Sequence, residues 1–110
     1  MTTLTLRNSL RNSSAGNEVE WASPANRDLV SVHDYVRSEN PKAANRILDE
    51  IVAAAELLGK HPRLGRTGRV AGTRELVISG TPFLLMYRIK GEAVQILAVL
   101  HAKRSWPTLF

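Results

Sequence analysis

The sequence has 110 residues, of which 44% are hydrophobic and 23% charged, and its net charge at pH 7 is +5. This size and composition are typical of a single folded domain with a modest core. Because the chain has no cysteine, it excludes a disulfide framework and a thiolate metal site, and no apolar run approaches the roughly 18 residues of a membrane span. We therefore expect a soluble protein, and the absence of cysteine is compatible with a cytoplasmic location.

The charge is distributed unevenly along the chain. Residues 1–17 contain two basic and no acidic residues, and residues 18–58 contain four basic and eight acidic residues. Residues 59–110 contain nine basic and two acidic residues, a net charge of +7. Such a half is suited to binding a phosphate backbone or an acidic protein. A basic surface that only maintains solubility is the alternative.

The first third of the chain predicts a tail, a strand and a helix. Residues 1–17 are rich in Ser, Thr and Asn and lack aromatic residues, so we expect a disordered or loosely attached tail before a single domain over residues 18–110. Polar and apolar residues alternate over residues 18–22, which predicts a half-buried strand. Ser23 and Pro24 predict a helix start in which the Ser23 hydroxyl is the cap.

A second helix follows the Asn40-Pro41 pair, which ends the first helix and offers another capped start. Its apolar side chains repeat at helical spacing and form one stripe. That stripe consists of Ala44, Ile47, Leu48, Ile51, Ala55 and Leu58. Gly59 marks the end of the helix. Two helices joined by a short break predict an antiparallel helical hairpin.

Glycine and arginine are interspersed over residues 62–74. Glycine lets a partner approach the backbone and guanidinium binds phosphate or carboxylate, although a flexible connection is the alternative. Strand-like runs follow at residues 75–78, 83–89 and 94–101. The predicted fold class is α+β, in the order β-α-α-β-β-β, with the helical hairpin packed on one face of a small antiparallel sheet.

Five short segments carry a resemblance to known proteins. They read ANRDL at residues 25–29, PRLGR at 62–66, GTRELV at 72–77, YR at 87–88 and ILAVLHAKR at 96–104. In this order and spacing they resemble the RelE/ParE family of toxins from bacterial type II toxin–antitoxin systems, over about residues 19–107. The resemblance implies a compact cytoplasmic toxin without a cofactor, which inhibits growth, serves plasmid stabilization and is neutralised by a cognate antitoxin protein wrapped around it.

The resemblance implies one of two targets. RelE-like toxins enter the ribosomal decoding site and cleave mRNA as endoribonucleases, whereas ParE-like toxins are associated with poisoning DNA gyrase and have no recognised nuclease centre. RNA cleavage by a 2′-hydroxyl needs groups that transfer protons and cations that stabilise the phosphate. For a nuclease, the candidate catalytic residues are His101, which can transfer a proton near neutral pH, and Tyr87, which can donate a hydrogen bond. The resemblance adds Arg104, which stands where RelE-like nucleases carry a catalytic arginine after their last strand. The structural alternatives for His101 and Tyr87 are a hydrogen-bonding His at a strand end and a core Tyr.

The basic residues of the second half are the candidates for binding a nucleic acid or a protein target. With one aromatic residue, they are Arg66, Arg69, Arg74, Arg88, Lys103 and Trp106. The alternative for Trp106 is a ring that closes the edge of the core. No metal site is predicted, because His33 and His61 have no further ligands at a suitable spacing.

Three departures from the nuclease pattern favour the ParE branch. Leu84 stands where the ribonuclease branch tends to have a basic residue. Some nuclease members use a Tyr or His close to the chain end, whereas the last residue here is Phe110, which cannot transfer a proton. Strand alternation sends Tyr87 and Arg88 to opposite faces unless a bulge intervenes. We therefore predict a ParE-like gyrase poison. The alternatives are a RelE-like ribosome-dependent mRNA endoribonuclease and a non-toxic relative that only binds antitoxin.

Overall fold

The computed structural model describes residues 17–103. The strands are β1 (Glu18–Trp21), β2 (Arg66–Thr67), β3 (Arg74–Val77), β4 (Phe83–Lys90) and β5 (Ala93–His101), and the helices are α1 (Ser23–Glu39) and α2 (Pro41–Lys60). The α+β class and the helical hairpin are as predicted, whereas the two-residue strand β2 was not. Residues 1–16 of the predicted tail, which spans residues 1–17, lie outside the described residues, as do the candidates Arg104, Trp106 and Phe110.

Both helices have a proline at one of their first two positions, as the sequence predicts. Pro24 and Pro41 lie in the first turn, where a missing N–H costs no hydrogen bond. The predicted hydroxyl cap is wrong, because Ala22 occupies the N-cap position of α1 and Ser23 is already helical. Asn40 does precede α2, but its side chain makes no capping hydrogen bond. The start of each helix is therefore set by proline geometry and by packing.

The strands form a single five-stranded sheet in the order β1-β5-β4-β3-β2. All neighbouring pairs are antiparallel except β1 and β5, which are parallel, with Trp21 opposite Ile96. The prediction of an antiparallel sheet is therefore right for four strands and incomplete for the fifth. The helical hairpin and three strands separate β1 from β5 along the chain, and a connection of that length permits a parallel pair.

The core lies between the helical hairpin and one face of the sheet. The side chains that fill it from the strands include Val19, Phe83, Leu85, Tyr87, Val94, Ile96 and Val99. The predicted apolar stripe of α2 faces them, and its members Ile47, Ile51, Ala55 and Leu58 are buried. A smaller buried cluster lies on the opposite face of the sheet and consists of Leu84, Met86, Ala98 and Leu100. The residues that the structure describes include no helix long and apolar enough to cross a membrane.

A β-bulge interrupts the pairing of β4 with β5. Met86 lies opposite Ala98 and Tyr87 opposite Ile96, so Leu97 is the extra residue. The bulge lies in β5, and β4 keeps its alternation at this point. Tyr87 is therefore fully buried on the helix side, while Arg88 is exposed on the other face.

Candidate functional site

The glycine- and arginine-rich segment after α2, residues 62–73, is called the basic loop below. The hydroxyl of Tyr87, a core residue, holds the first turn of the basic loop in place. This hydroxyl donates a hydrogen bond to the carbonyl oxygen of Pro62 at 2.6 Å and accepts one from the backbone N–H of Gly65 at 2.9 Å. Burial raises the pKa of the Tyr87 phenol above its usual range. Both the burial and the hydrogen bonds assign Tyr87 to holding the loop in place.

A buried carboxylate holds the second half of the basic loop. Glu75 in β3 has only 3% of its side chain exposed and accepts hydrogen bonds from the Arg69 Nε at 2.7 Å and the Arg69 backbone N–H at 3.0 Å. The Arg66 guanidinium lies 3.6 Å from the other carboxylate oxygen. The hydrogen bond from the Arg69 side chain is the main reason that the pKa of Glu75 lies below its usual range.

The remaining predicted arginines also contact the protein itself. Arg74 Nη1 donates to the carbonyl oxygen of Gly65 at 2.7 Å, which ties β3 to the basic loop. Arg88 Nε donates to Gln95 Oε1 at 2.6 Å across the β4–β5 pair. Of the arginines that the sequence predicts for a partner, Arg69, Arg74 and Arg88 thus donate hydrogen bonds to oxygen atoms of their own chain, and Arg66 forms an ion pair with Glu75.

His101 ends β5 on the helix side of the sheet. Its residue surface is 9% exposed, and its ring lies edge-on to the ring of Phe83 with 5.5 Å between centroids. The backbone N–H of Lys103 donates to His101 Nδ1 at 3.1 Å, so this hydrogen bond assigns the proton of the neutral ring to Nε2. Lys103 itself is exposed. The structure therefore gives His101 a packing role and a role in fixing the chain after β5.

The two proton-transfer candidates are far apart. His101 is paired with Phe83 at one end of the β4–β5 ladder, and Tyr87 lies four residues further along β4. At about 3.3 Å per residue, this places their positions about 13 Å apart along the strand. A general acid and a general base for one phosphodiester must both reach the same phosphate. The described part of the chain does not bring Tyr87 and His101 to such a point.

Two buried acids hold structural positions that the sequence analysis did not assign. Glu75 is one, and the other is Asp28 in α1, whose carboxylate accepts a hydrogen bond from the backbone N–H of Val99 at 3.0 Å. β1 ends opposite Ile96, so this N–H of β5 lies beyond the reach of β1. Burial is the main reason that the pKa of Asp28 is raised. The sequence feature that could have identified Asp28 is its position three residues after Ala25, on the buried face of α1.

His33 and His61 have different neighbours in the fold. His33 Nε2 lies 3.0 Å from Asn45 Oδ1, between the two helices. His61 follows α2 and its backbone N–H is bonded to the Leu57 carbonyl oxygen. Over residues 17–103, no group of three His, Asp or Glu side chains is arranged to hold a metal ion.

Fold and site together define a small basic α+β protein, in which a helical hairpin covers one face of a sheet and a clamped basic loop borders it. Residues 19–106 match the family described as ParE toxin of type II toxin-antitoxin system, parDE. The chain therefore belongs to the ParE toxin family of type II toxin–antitoxin systems.

Relatives of the chain agree with this assignment. The sequence is 38% identical to Y4kP of Sinorhizobium fredii, over 81% of this chain and 92% of that protein. It is 33% identical to Toxin RelE2 of Caulobacter vibrioides, over 79% of this chain and 97% of that protein. These similarities span almost the whole length of both relatives.

Solved structures show the same fold. The chain is similar to one in the chromosomal ParDE TA system from P. aeruginosa, with a TM-score of 0.72 and 27% identity over 77% of this chain and 95% of that one. It is also similar to a chain of the RelBE2 toxin–antitoxin complex from Mycobacterium tuberculosis, with a TM-score of 0.60 and 31% identity over 79% of this chain and 99% of that one.

Proposed function

We propose that this protein is a toxin that a cognate antitoxin neutralises, and that it inhibits bacterial growth by poisoning DNA gyrase through protein–protein contacts in the cytoplasm. Membership of the ParE toxin family supports the role as a toxin. The choice of gyrase over the ribosome rests on the chemistry of the described residues.

The separation of Tyr87 from His101 supports a protein–protein mechanism. Both side chains are buried on the helix side of the sheet, and their positions lie about 13 Å apart along the paired strands β4 and β5. The hydroxyl of Tyr87 is already engaged with Pro62 and Gly65. A ribonuclease would need such groups to converge at one accessible phosphate. A toxin that acts by binding needs only a surface.

The hydrogen bonds that the arginines make within the protein support the same proposal. Catalysis at phosphate uses cations aimed at the developing charge. Here the guanidinium groups of Arg69, Arg74 and Arg88 donate to Glu75, Gly65 and Gln95 instead. This use of arginine stabilises a protein surface and leaves fewer donors for an RNA backbone.

A second candidate is the RelE-like mRNA endoribonuclease, which the names of the Caulobacter relatives and of the RelBE2 complex favour. It would use His101 and Arg104 beside the ribosome, where the target supplies part of the site.

Induction of the protein alone in bacteria tests the two candidates together, with ribosome-bound message and plasmid supercoiling followed in the same cells. We expect intact message, disturbed supercoiling and growth arrest that co-expressed antitoxin reverses. Cleaved message with normal supercoiling would replace the proposal with the endoribonuclease. Unchanged growth would identify a relative that binds antitoxin without toxicity.

A further inference from the structure

The basic loop is held in one conformation by the rest of the protein. Tyr87, Arg74 and Glu75 each bind its backbone or side chains from the sheet. Gly65 allows the closest approach, because a Cβ there would lie 2.7 Å from the Tyr87 hydroxyl oxygen and 2.8 Å from the Glu75 carbonyl oxygen. A loop fixed in this way loses little conformational entropy when a partner binds it.

Two large apolar side chains of this fixed loop point into solvent. Leu64 is 51% exposed and Val70 is 41% exposed, and they lie on either side of β2. Neither contributes to the two buried clusters of the sheet. Exposed apolar side chains on a rigid support are typical anchors of a protein interface.

The charge around these anchors selects the partner. Arg63 and Arg66 are exposed beside Leu64, and Lys60 precedes the loop at the end of α2. A phosphate backbone would use the cations but not Leu64 or Val70. A polypeptide with carboxylates flanking apolar side chains would use both, so the loop fits an acidic peptide better than a nucleic acid.

We infer that the basic loop is a preformed docking element for an acidic segment of the cognate antitoxin, which places apolar side chains on Leu64 and Val70 and carboxylates beside Arg63 and Arg66. This inference rests on the proposed toxin role, because that role supplies a partner that must bind tightly. It adds a defined surface and the chemistry of the segment that covers it.

The dissociation rate of the purified toxin–antitoxin complex tests the inference. The double variant Leu64→Ala/Val70→Ala should dissociate at least about tenfold faster than wild type, since each side chain would lose its buried contact. The matched control is Leu57→Ala/Val77→Ala, which removes the same two residue types from exposed positions in α2 and β3, 44% and 48% exposed. The control complex should dissociate at the wild-type rate.

The charged part of the inference has its own variant. Arg63→Gln should slow association and weaken its dependence on salt, whereas Arg37→Gln, at an exposed position in the last turn of α1, should change neither. Circular dichroism of each variant shows whether the fold is retained, as expected for exposed positions.

The outcomes separate this inference from the proposed function. Unchanged dissociation of the loop variant, or equal acceleration in the loop and control pairs, would overturn the loop as the docking element. Acceleration in the control pair alone would place the docking surface outside the basic loop and also overturn the inference. Failure of wild-type protein to bind any antitoxin would instead remove the proposed function, and this inference with it.

Discussion

At the scale of single residues, the side chain of Glu75 holds the second half of the basic loop. It is a nearly buried carboxylate that accepts three hydrogen bonds from Arg69 and lies beside Arg66. A buried charge is stabilising only when such partners are present. Removing the charge therefore affects both the fold and the position of the basic loop.

Glu75→Gln is expected to lower the free energy of unfolding at pH 7 by about 1–3 kcal/mol, because the charge-assisted hydrogen bonds to Arg69 are weakened. Since the pKa of Glu75 is lowered in the folded state, its contribution is present above the ordinary value of 4.5 and is lost as the pH falls through the folded value. Urea denaturation at a series of pH values measures this difference. Glu92→Gln, at an exposed turn position, is the control and should change little.

Asp28 has the opposite dependence on pH. Burial raises its pKa, so its carboxyl group stabilises the fold fully below the ordinary value of 3.8 and less as the pH rises through the folded value. Asp28→Asn keeps an acceptor for the Val99 N–H and should make stability less dependent on pH over this range. Asp28→Ala leaves that N–H without its acceptor and should cost about 1–3 kcal/mol. Equal stability of both variants at every pH would contradict this role.

At the scale of elements, the basic loop depends on contacts made by β3 and β4. Gly65→Ala should destabilise the fold by about 1–3 kcal/mol, because a Cβ would lie under 3 Å from the Tyr87 hydroxyl and from a backbone oxygen of β3. Hydrogen exchange should also become faster at the amide of Arg69, because its acceptor Glu75 lies in β3, the strand that the new Cβ would displace. Ala71→Ser adds one atom at an exposed loop position and should change neither measurement.

The elements differ in how far the sequence determines them. The two helices are predictable because their signals are local: Pro24 and Pro41 mark the starts, and the apolar stripe of α2 marks its buried face. The parallel pairing of β1 with β5 and the bulge at Leu97 are not predictable in this way, because both depend on strands that are distant in sequence. Short strands such as β2 form only where a partner strand is already in place.

The residues of the candidate site also divide into features that the sequence predicts and features that depend on tertiary contacts. Periodicity gives the buried faces, and it correctly places Tyr87 and Arg88 on opposite sides of β4. It does not reveal that Glu75 neutralises Arg69, because an acid among arginines has the same sequence pattern whether it is clamped or solvated. The placement of Tyr87 inside the core, with its hydroxyl bonded to Pro62, likewise follows from tertiary packing.

At the scale of the whole molecule, charge and packing point to a binding protein. The helical hairpin and one sheet face form the main core, and the basic half of the chain supplies the loop at the sheet's edge. The long-range field of such a surface favours rapid encounter with acidic partners. The described residues provide this surface without assembling Tyr87 and His101 into one centre.

The most direct test of a protein–protein mechanism is a supercoiling assay with purified DNA gyrase and saturating toxin released from its antitoxin. We expect blocked supercoiling or accumulated DNA cleavage complexes, with activity restored when antitoxin is added. Tyr87→Phe protein that remains folded should act like wild type, since its hydroxyl serves the loop and not a reaction. Normal supercoiling at saturating toxin, together with cleaved codons in ribosome-bound message, would contradict the account.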